Sequence, residues 1–359
     1  MQYTPLLVFL TSFIVSLISV PSIIKVANEK SLFDKPSESR KIHTKSTPNL
    51  GGVAIFLGFY FSTLMFRVLC DSIELSALCA ASVLLFFVAL KDDLISTTPL
   101  LRLFFQFLIA IIIVLFGQVY FYHLPFFGSD GIWAVGVNII VTMVFIVAII
   151  NAMNFIDGID GLAGLVSFVI FVIFGAIFYE YGENSYAFIS LALAGSTLGF
   201  LIFNWNPAKI FMGDIGSMLL GVFMAVFAIK LSNMEPLRLG LITVRNPTTL
   251  ALALLIVPIM DMVTVICIRT YLKLSPFIAD KRHTHHRLLG LGLSQKAVTL
   301  TLLGFNLAMV VVALLTGFMK GIFSFVIIVI LAAAFETTLV YLFVKKEKTA
   351  HSIRTSGQN

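Results

Sequence analysis

Charge is what this sequence has least of. Only 12% of its 359 residues are Asp, Glu, Lys or Arg, about half the share of an ordinary soluble domain. With 59% of residues apolar, a water-soluble globular enzyme is excluded. Cysteine is scarce as well. Cys70, Cys79 and Cys267 lie in or beside apolar runs with neither CxxC nor CxxH spacing, which excludes a disulfide framework and a cysteine-based zinc site. Glycine (24) and proline (11) show no excess, and phenylalanine alone supplies 35 residues, so collagen-like and disordered chains are excluded too. No internal repeat, long linker or separate soluble domain stands out, and the first apolar run lacks the positive n-region of a cleaved signal peptide.

What the chain does have is apolar length. Crossing the hydrocarbon takes about 20 helical residues. Eleven runs approach that, near 4–24, 50–69, 74–90, 100–120, 132–151, 161–181, 186–204, 215–231, 248–271, 298–317 and 321–344. They predict an all-α polytopic membrane protein of about eleven transmembrane helices: a single membrane domain over 1–344 and a short, solvated cytoplasmic tail over 345–359. Lys25, Lys30, Lys35, Arg40, Lys41 and Lys45 follow the first run, so its amino end reads as outside and the carboxyl end of the chain as inside. Of the 24 basic residues only Arg67, Lys230, Arg238, Arg245 and Lys320 fall on the far side, the bias that the positive-inside rule describes. The net charge of +6 therefore calls for a membrane surface and no nucleic acid.

The unusual polar segments gather on that same inner side. Outer loops such as Gly182-Glu183-Asn184-Ser185 are short and unpatterned. A transporter places polar groups at the midplane on broken helices, and no interior break is expected here. Asp92-Asp93 closes the third run. Adjacent carboxylates repel unless a cation such as Mg²⁺ is near, or one serves as a base; the plainer alternative is two solvated acids at a helix end. Arg102, followed one turn later by Gln106, reads either as a snorkelling anchor or as a phosphate clamp. Asn151, Asn154, Asp157 and Asp160 recur every third residue, which on a helix forms one polar stripe, with Gly158, Gly161 and Gly164 allowing close approach. Phe211-Met212-Gly213-Asp214-Ile215-Gly216-Ser217 opens the eighth run, where a helix amino terminus suits phosphate and Asp214 either brings a metal or merely caps the helix. Asn204 and Asn206 flank Trp205 just upstream. His283, His285 and His286 stand among Lys281, Arg282 and Arg287, a cluster that fits phosphate oxygens better than a metal cation; the alternative is a polybasic contact with lipid head groups. Acids suited to Mg²⁺ beside bases suited to phosphate, all at a lipid boundary, point to phosphoryl transfer from a soluble nucleotide donor to a lipid-borne phosphate.

These residues resemble the polyprenyl-phosphate N-acetylhexosamine-1-phosphate transferase superfamily, glycosyltransferase family 4. The resemblance runs from the His43 segment to the His283 cluster. It is carried by Thr47-Pro48-Asn49-Leu50-Gly51-Gly52, Asp92-Asp93, Asn154-Phe155-Ile156-Asp157-Gly158-Ile159-Asp160-Gly161-Leu162, Phe211-Met212-Gly213-Asp214 and the His-x-His-His run, in that order. It implies a UDP-sugar donor, undecaprenyl phosphate as acceptor, Mg²⁺ or Mn²⁺ as cofactor, release of UMP, and a polyprenyl-diphosphate-sugar product, the first membrane step of a cell-wall or surface polysaccharide. It also implies a bacterial cytoplasmic membrane with the active site on the cytoplasmic face, and is compatible with a homodimer. By motif, Asp92, Asp93 and Asp214 would be catalytic, with Asp92 as candidate base. Asp214, Asn154 and Asp93 would reach the metal. Lys45, Arg102, Asn154, Asp157, Asp160, Asn204, His283, His285, His286 and Arg287 would hold substrate. Thr284 interrupts the three consecutive histidines typical of the phospho-MurNAc-pentapeptide transferase branch, so the resemblance leans to UDP-GlcNAc, with that branch as the alternative. A UbiA-like prenyltransferase would need two DxxxD-type motifs, a CDP-alcohol phosphotransferase a DGxxAR pattern, and a lipid-phosphate transporter would yield no UMP.

Overall fold

The structure is a computed structural model. It describes residues 4–30, 32, 47–68, 72–95, 97–122, 132–240, 242–275 and 282–356. The chain forms two compact units, Met1–Glu235 and Pro236–Asn359. Among the described residues the first holds eight helices: α1 (Thr4–Glu29), α2 (Gly51–Met65), α3 (Ile73–Leu94), α4 (Pro99–Ile111, running on as a π turn over Ile112–Phe116), α5 (Ile132–Ile156), α6 (Leu162–Glu180), α7 (Asn184–Asn204) and α8 (Gly213–Ser232). The second holds a two-stranded antiparallel hairpin, β1 (Leu237–Leu239) and β2 (Ile242–Val244), then α9 (Pro247–Leu254), α10 (Ile256–Tyr271), α11 (Thr284–Gly290), α12 (Gln295–Leu315) and α13 (Gly321–Ser356).

Local sequence chemistry sets where several helices begin. Ser72, Thr98, Asn246 and Ser294 each accept a backbone N–H of the first turn that follows, and Pro99 and Pro247 open α4 and α9 at positions where no N–H is needed. Packing then sorts the helices. The most apolar stretch of α8 is 89% buried, against 22% for α1, so α8 is the axis of the first unit and α1 part of its rim. Around that axis stand α2, α3 and α5, with α1 and α7 joined along Ser12, Ser16, Gly195 and Gly199, where small residues let the backbones approach.

Each of the eleven apolar runs lies on helix, so the chain is an all-α polytopic membrane protein, but the runs are not eleven equal spans. Nine described helices are long and apolar enough to cross a membrane. Of the other two runs, α2 has only 15 residues and the α9–α10 pair bends by 70°. That bend corrects the expectation of no interior break. Pro258 has no N–H to offer the Leu254 carbonyl one turn back. Asn306 on α12 donates instead to Ala253 O at 2.8 Å and Leu254 O at 3.1 Å, satisfying the broken turn from a neighbouring helix. Residues 345–356, expected as a solvated tail, continue α13: no glycine or proline intervenes before Gly357, and Lys345-Lys346-Glu347-Lys348 are good helix formers.

Candidate active site

The site of the first unit is assembled around the start of α8. Residues 48–52 clasp the segment before it by three backbone bonds: Phe211 N to Pro48 O (2.8 Å), Gly51 N to Phe211 O (2.9 Å) and Gly52 N to Met212 O (2.8 Å). Gly213 then turns the chain into α8 with φ at +74°, a conformation that favours glycine, and a side chain there would meet Asn49 O and both Asp93 oxygens. Asp93 is the reason for that closeness. Its Oδ1 accepts from Asp214 N (2.9 Å) and from Asn49 Nδ2 (3.2 Å), and its Oδ2 from Ile215 N (3.1 Å). A carboxylate on α3 thus caps α8, and the free N–H groups that suggested a phosphate seat at this terminus are already engaged.

Asp92, next in sequence, does something different. Thr97 donates to its Oδ1 from the backbone N–H (2.6 Å) and from its hydroxyl, which turns Oδ2 toward Arg102 Nη1 at 3.0 Å. The same Nη1 lies 3.1 Å from Asp214 Oδ2. One guanidinium nitrogen therefore holds carboxylates from α3 and α8 together. Asp214 Oδ1 accepts from Asn154 Nδ2 at 2.6 Å, and Asn154 also reaches Ser217 Oγ at 3.1 Å. One turn behind, Gln106 and Asn151 exchange amide hydrogen bonds, the closer at 2.7 Å, which registers α4 against α5 so that Arg102 and Asn154 both arrive at Asp214.

The three-residue polar stripe is not one helical face. Asn151 and Asn154 occupy the last turns of α5, while Asp157 and Asp160 lie in the turn that follows, because Gly158 and Gly161 end the helix and Gly161 has φ at +77°. Asp157 faces Asp214 beside the Gly213 N–H. Burial and the neighbouring Asp214 carboxylate push its carboxyl up to about 7. Asp160 is buried and accepts from Asn206 Nδ2 and Ala208 N, both at 2.9 Å. Asn204, also buried, accepts from Gly161 N (3.0 Å) and donates to Ile210 O (2.9 Å). Asp160 and Asn204 therefore tie the 157–161 turn to the 204–210 loop.

In the second unit His283, His285, His286 and Arg287 come together around the start of α11. His283 Nδ1 is 2.7 Å from Asp261 Oδ2. The His285 ring lies parallel to that of His283 with centroids 5.5 Å apart, and burial pushes the His285 imidazole down to about 3. Arg287 is buried, with Nη2 2.8 Å from Glu336. Asp261 and Glu336 were missed in the sequence, although a lone acid inside an apolar run is itself a signal. Lys45 lies outside the described residues.

The donor set of the first unit suits a hard cation. It offers oxygen ligands with no described imidazole, and it has more acids than cations. Among the described residues no three His, Cys, Asp or Glu side chains are grouped so that they could hold a metal ion by themselves.

Residues 75–232 match the family model described as Glycosyl transferase family 4. A Bacillus subtilis protein named as a probable undecaprenyl-phosphate N-acetylglucosaminyl 1-phosphate transferase is 30% identical over 339 residues, 92% of this chain and 91% of its own. The undecaprenyl-phosphate alpha-N-acetylglucosaminyl 1-phosphate transferase of Haemophilus influenzae is 34% identical over 295 residues, covering 80% and 79% of the two chains. The decaprenyl-phosphate N-acetylglucosaminephosphotransferase of Mycobacterium tuberculosis is 34% identical over 322 residues, covering 82% and 78%.

Proposed function

The chain belongs to glycosyl transferase family 4, and on that premise we propose that it transfers GlcNAc-1-phosphate from UDP-GlcNAc to undecaprenyl phosphate. A lipid phosphate oxygen becomes bonded to the sugar-bearing β-phosphorus, the bridge to the α-phosphate breaks, and UMP leaves with that bridging oxygen. The observation that carries the reading is Arg102 Nη1 bridging Asp92 and Asp214. Acids and a guanidinium converge from separate helices at the ends of membrane-crossing segments, where a lipid phosphate and a soluble donor can both arrive.

Each residue then has a task. Arg102 is the planar cation for phosphate oxygens, released from its carboxylates as charge arrives. Asp92, oriented by Thr97, is the base facing the lipid phosphate. Asp214, aimed by Asn154, would hold Mg²⁺ or Mn²⁺, and the metal would offset the negative charge of the diphosphate. Asp93, whose oxygens are engaged by three N–H donors, fixes α8 and so positions Asp214. Asp160 and Asn204 position the loop beside the site and Asp157 faces the donor; in the second unit His283 and His286 are the candidates for phosphate oxygens, with the buried His285 ring packed beside His283. The positive-inside bias supports an amino end outside and a site facing the cytoplasm, which we place at the bacterial inner membrane. The product is the primer of a surface polysaccharide.

Two variants test the assignment in detergent with undecaprenyl phosphate, UDP-GlcNAc and Mg²⁺. Asp214→Ala and Asp92→Asn should each lower UMP release by about 1000-fold while the unfolding midpoint stays near that of the wild type. Substantial turnover by folded Asp214→Ala at saturating Mg²⁺ would overturn it.

A further inference from the structure

Asp261 sits in α10, inside an apolar run, and is 1% exposed. An isolated carboxylate there is costly unless both oxygens are engaged. Both are, and by consecutive residues of another segment: Oδ2 lies 2.7 Å from His283 Nδ1, and Oδ1 accepts the Thr284 N–H at 2.6 Å. Thr284, the residue that interrupts the histidine run, is held a second time by its hydroxyl, which donates to Glu336 on α13, and Arg287 donates to that hydroxyl at 3.2 Å. The turn bearing His283 is thus fixed from α10 and α13, while the parallel His285 ring packs beside that of His283.

We propose that Asp261 is a positioning residue: it holds His283 with the proton on Nδ1 and its ring turned for the diphosphate of the UDP-sugar. The chemistry follows from what a carboxylate can do. An ionised carboxylate only accepts, so Nδ1 must be the donor, and Nε2 is left as the acceptor of the neutral ring. Anchoring one nitrogen to a carboxylate also orients the ring. The Thr284 N–H bond and the His283 bond together satisfy the buried carboxylate, and the second of them also fixes the tautomer of an imidazole within the basic cluster.

The substitution Asp261→Asn separates these two roles. Its amide oxygen can still accept the Thr284 N–H, keeping the clamp, but its NH₂ group now faces Nδ1 and reverses the preferred tautomer. Asp261→Glu keeps the charge. The inference rests on the transferase reading for its kinetic half only. By ¹⁵N NMR of the full chain in detergent, His283 should carry its proton on Nδ1 in the wild type and Asp261→Glu, and on Nε2 in Asp261→Asn. In the UMP-release assay, Asp261→Asn should raise the KM for UDP-GlcNAc by about tenfold, with kcat and the KM for undecaprenyl phosphate within about twofold, and Asp261→Glu should recover part of the loss. An unchanged tautomer, or equal losses in kcat and both KM values, would overturn the assignment. If the wild type released no UMP with any donor, the transferase reading would fail while the tautomer result still decided whether Asp261 sets the His283 ring.

Discussion

Replacing Gly52 with alanine tests whether the active site depends on the contact between α2 and α8. A methyl group on Gly52 would lie 2.1 Å from Gly216 N, 2.7 Å from Gly216 Cα and 2.8 Å from Ile215 C. All three are backbone atoms, so no side chain can rotate away. Real Cβ contacts essentially never fall below 3.0 Å, so the two helices must part by about 1 Å in an interior packed as densely as a crystal. Overpacking of that kind costs about 1–3 kcal/mol of stability. The larger effect is on chemistry. Asp214 rides on α8, whereas Asp92 and Arg102 ride on α3 and α4, so the displacement falls on the 3.1 Å contact between Arg102 and Asp214. A misplacement of about 1 Å costs about 100-fold in rate. The assay is UMP release with thermal unfolding in the same detergent, and Gly136→Ala is the control, since nothing lies within 4 Å of a side chain at that position. Folded Gly52→Ala protein with kcat within twofold of the wild type would refute the reasoning.

Two further outcomes follow from the same geometry. Asp93→Asn keeps one acceptor oxygen but loses an N–H bond at the start of α8, so unfolding should cost about 1–3 kcal/mol less than in the wild type and activity should fall with it; equal thermal midpoints would show that Asp93 does not brace α8. His285 has its folded value pushed from 6.5 down to about 3, so the neutral ring contributes stability that is present above pH 6.5 and is lost as pH falls from 6.5 toward 3. The midpoint of unfolding should therefore decline less steeply across that window in His285→Asn, and an unchanged slope would count against a buried neutral ring.

Much of the architecture was legible because apolar length is a strong signal in a chain so poor in charge. Even α2 and the α9–α10 pair registered as runs. Their departures from a simple span were hidden because a helix break depends on who satisfies the freed carbonyl, and Asn306 is 48 residues from Pro258 in sequence. The acids of the site were legible as charges at the edges of apolar runs. Their division of labour was not. Asp92 and Asp93 are adjacent in sequence, yet one turns toward Arg102 and the other toward backbone N–H groups, a difference set by Thr97 and by the docking of α8. Asp157 and Asp160 kept the spacing of a helical stripe that glycine turns had already broken. Asp261 and Glu336 were missed, because each is a single acid inside an apolar run and its partners, His283 with Thr284 and Arg287, are supplied only by the fold.

The most direct test of the central claim is lipid-dependent UMP release by the purified chain in detergent with Mg²⁺, supplied in parallel with UDP-GlcNAc, UDP-GalNAc and UDP-MurNAc-pentapeptide. UMP is expected from UDP-GlcNAc only when undecaprenyl phosphate is present, with formation of undecaprenyl-diphosphate-GlcNAc. Folded protein that releases no UMP from UDP-GlcNAc would contradict it.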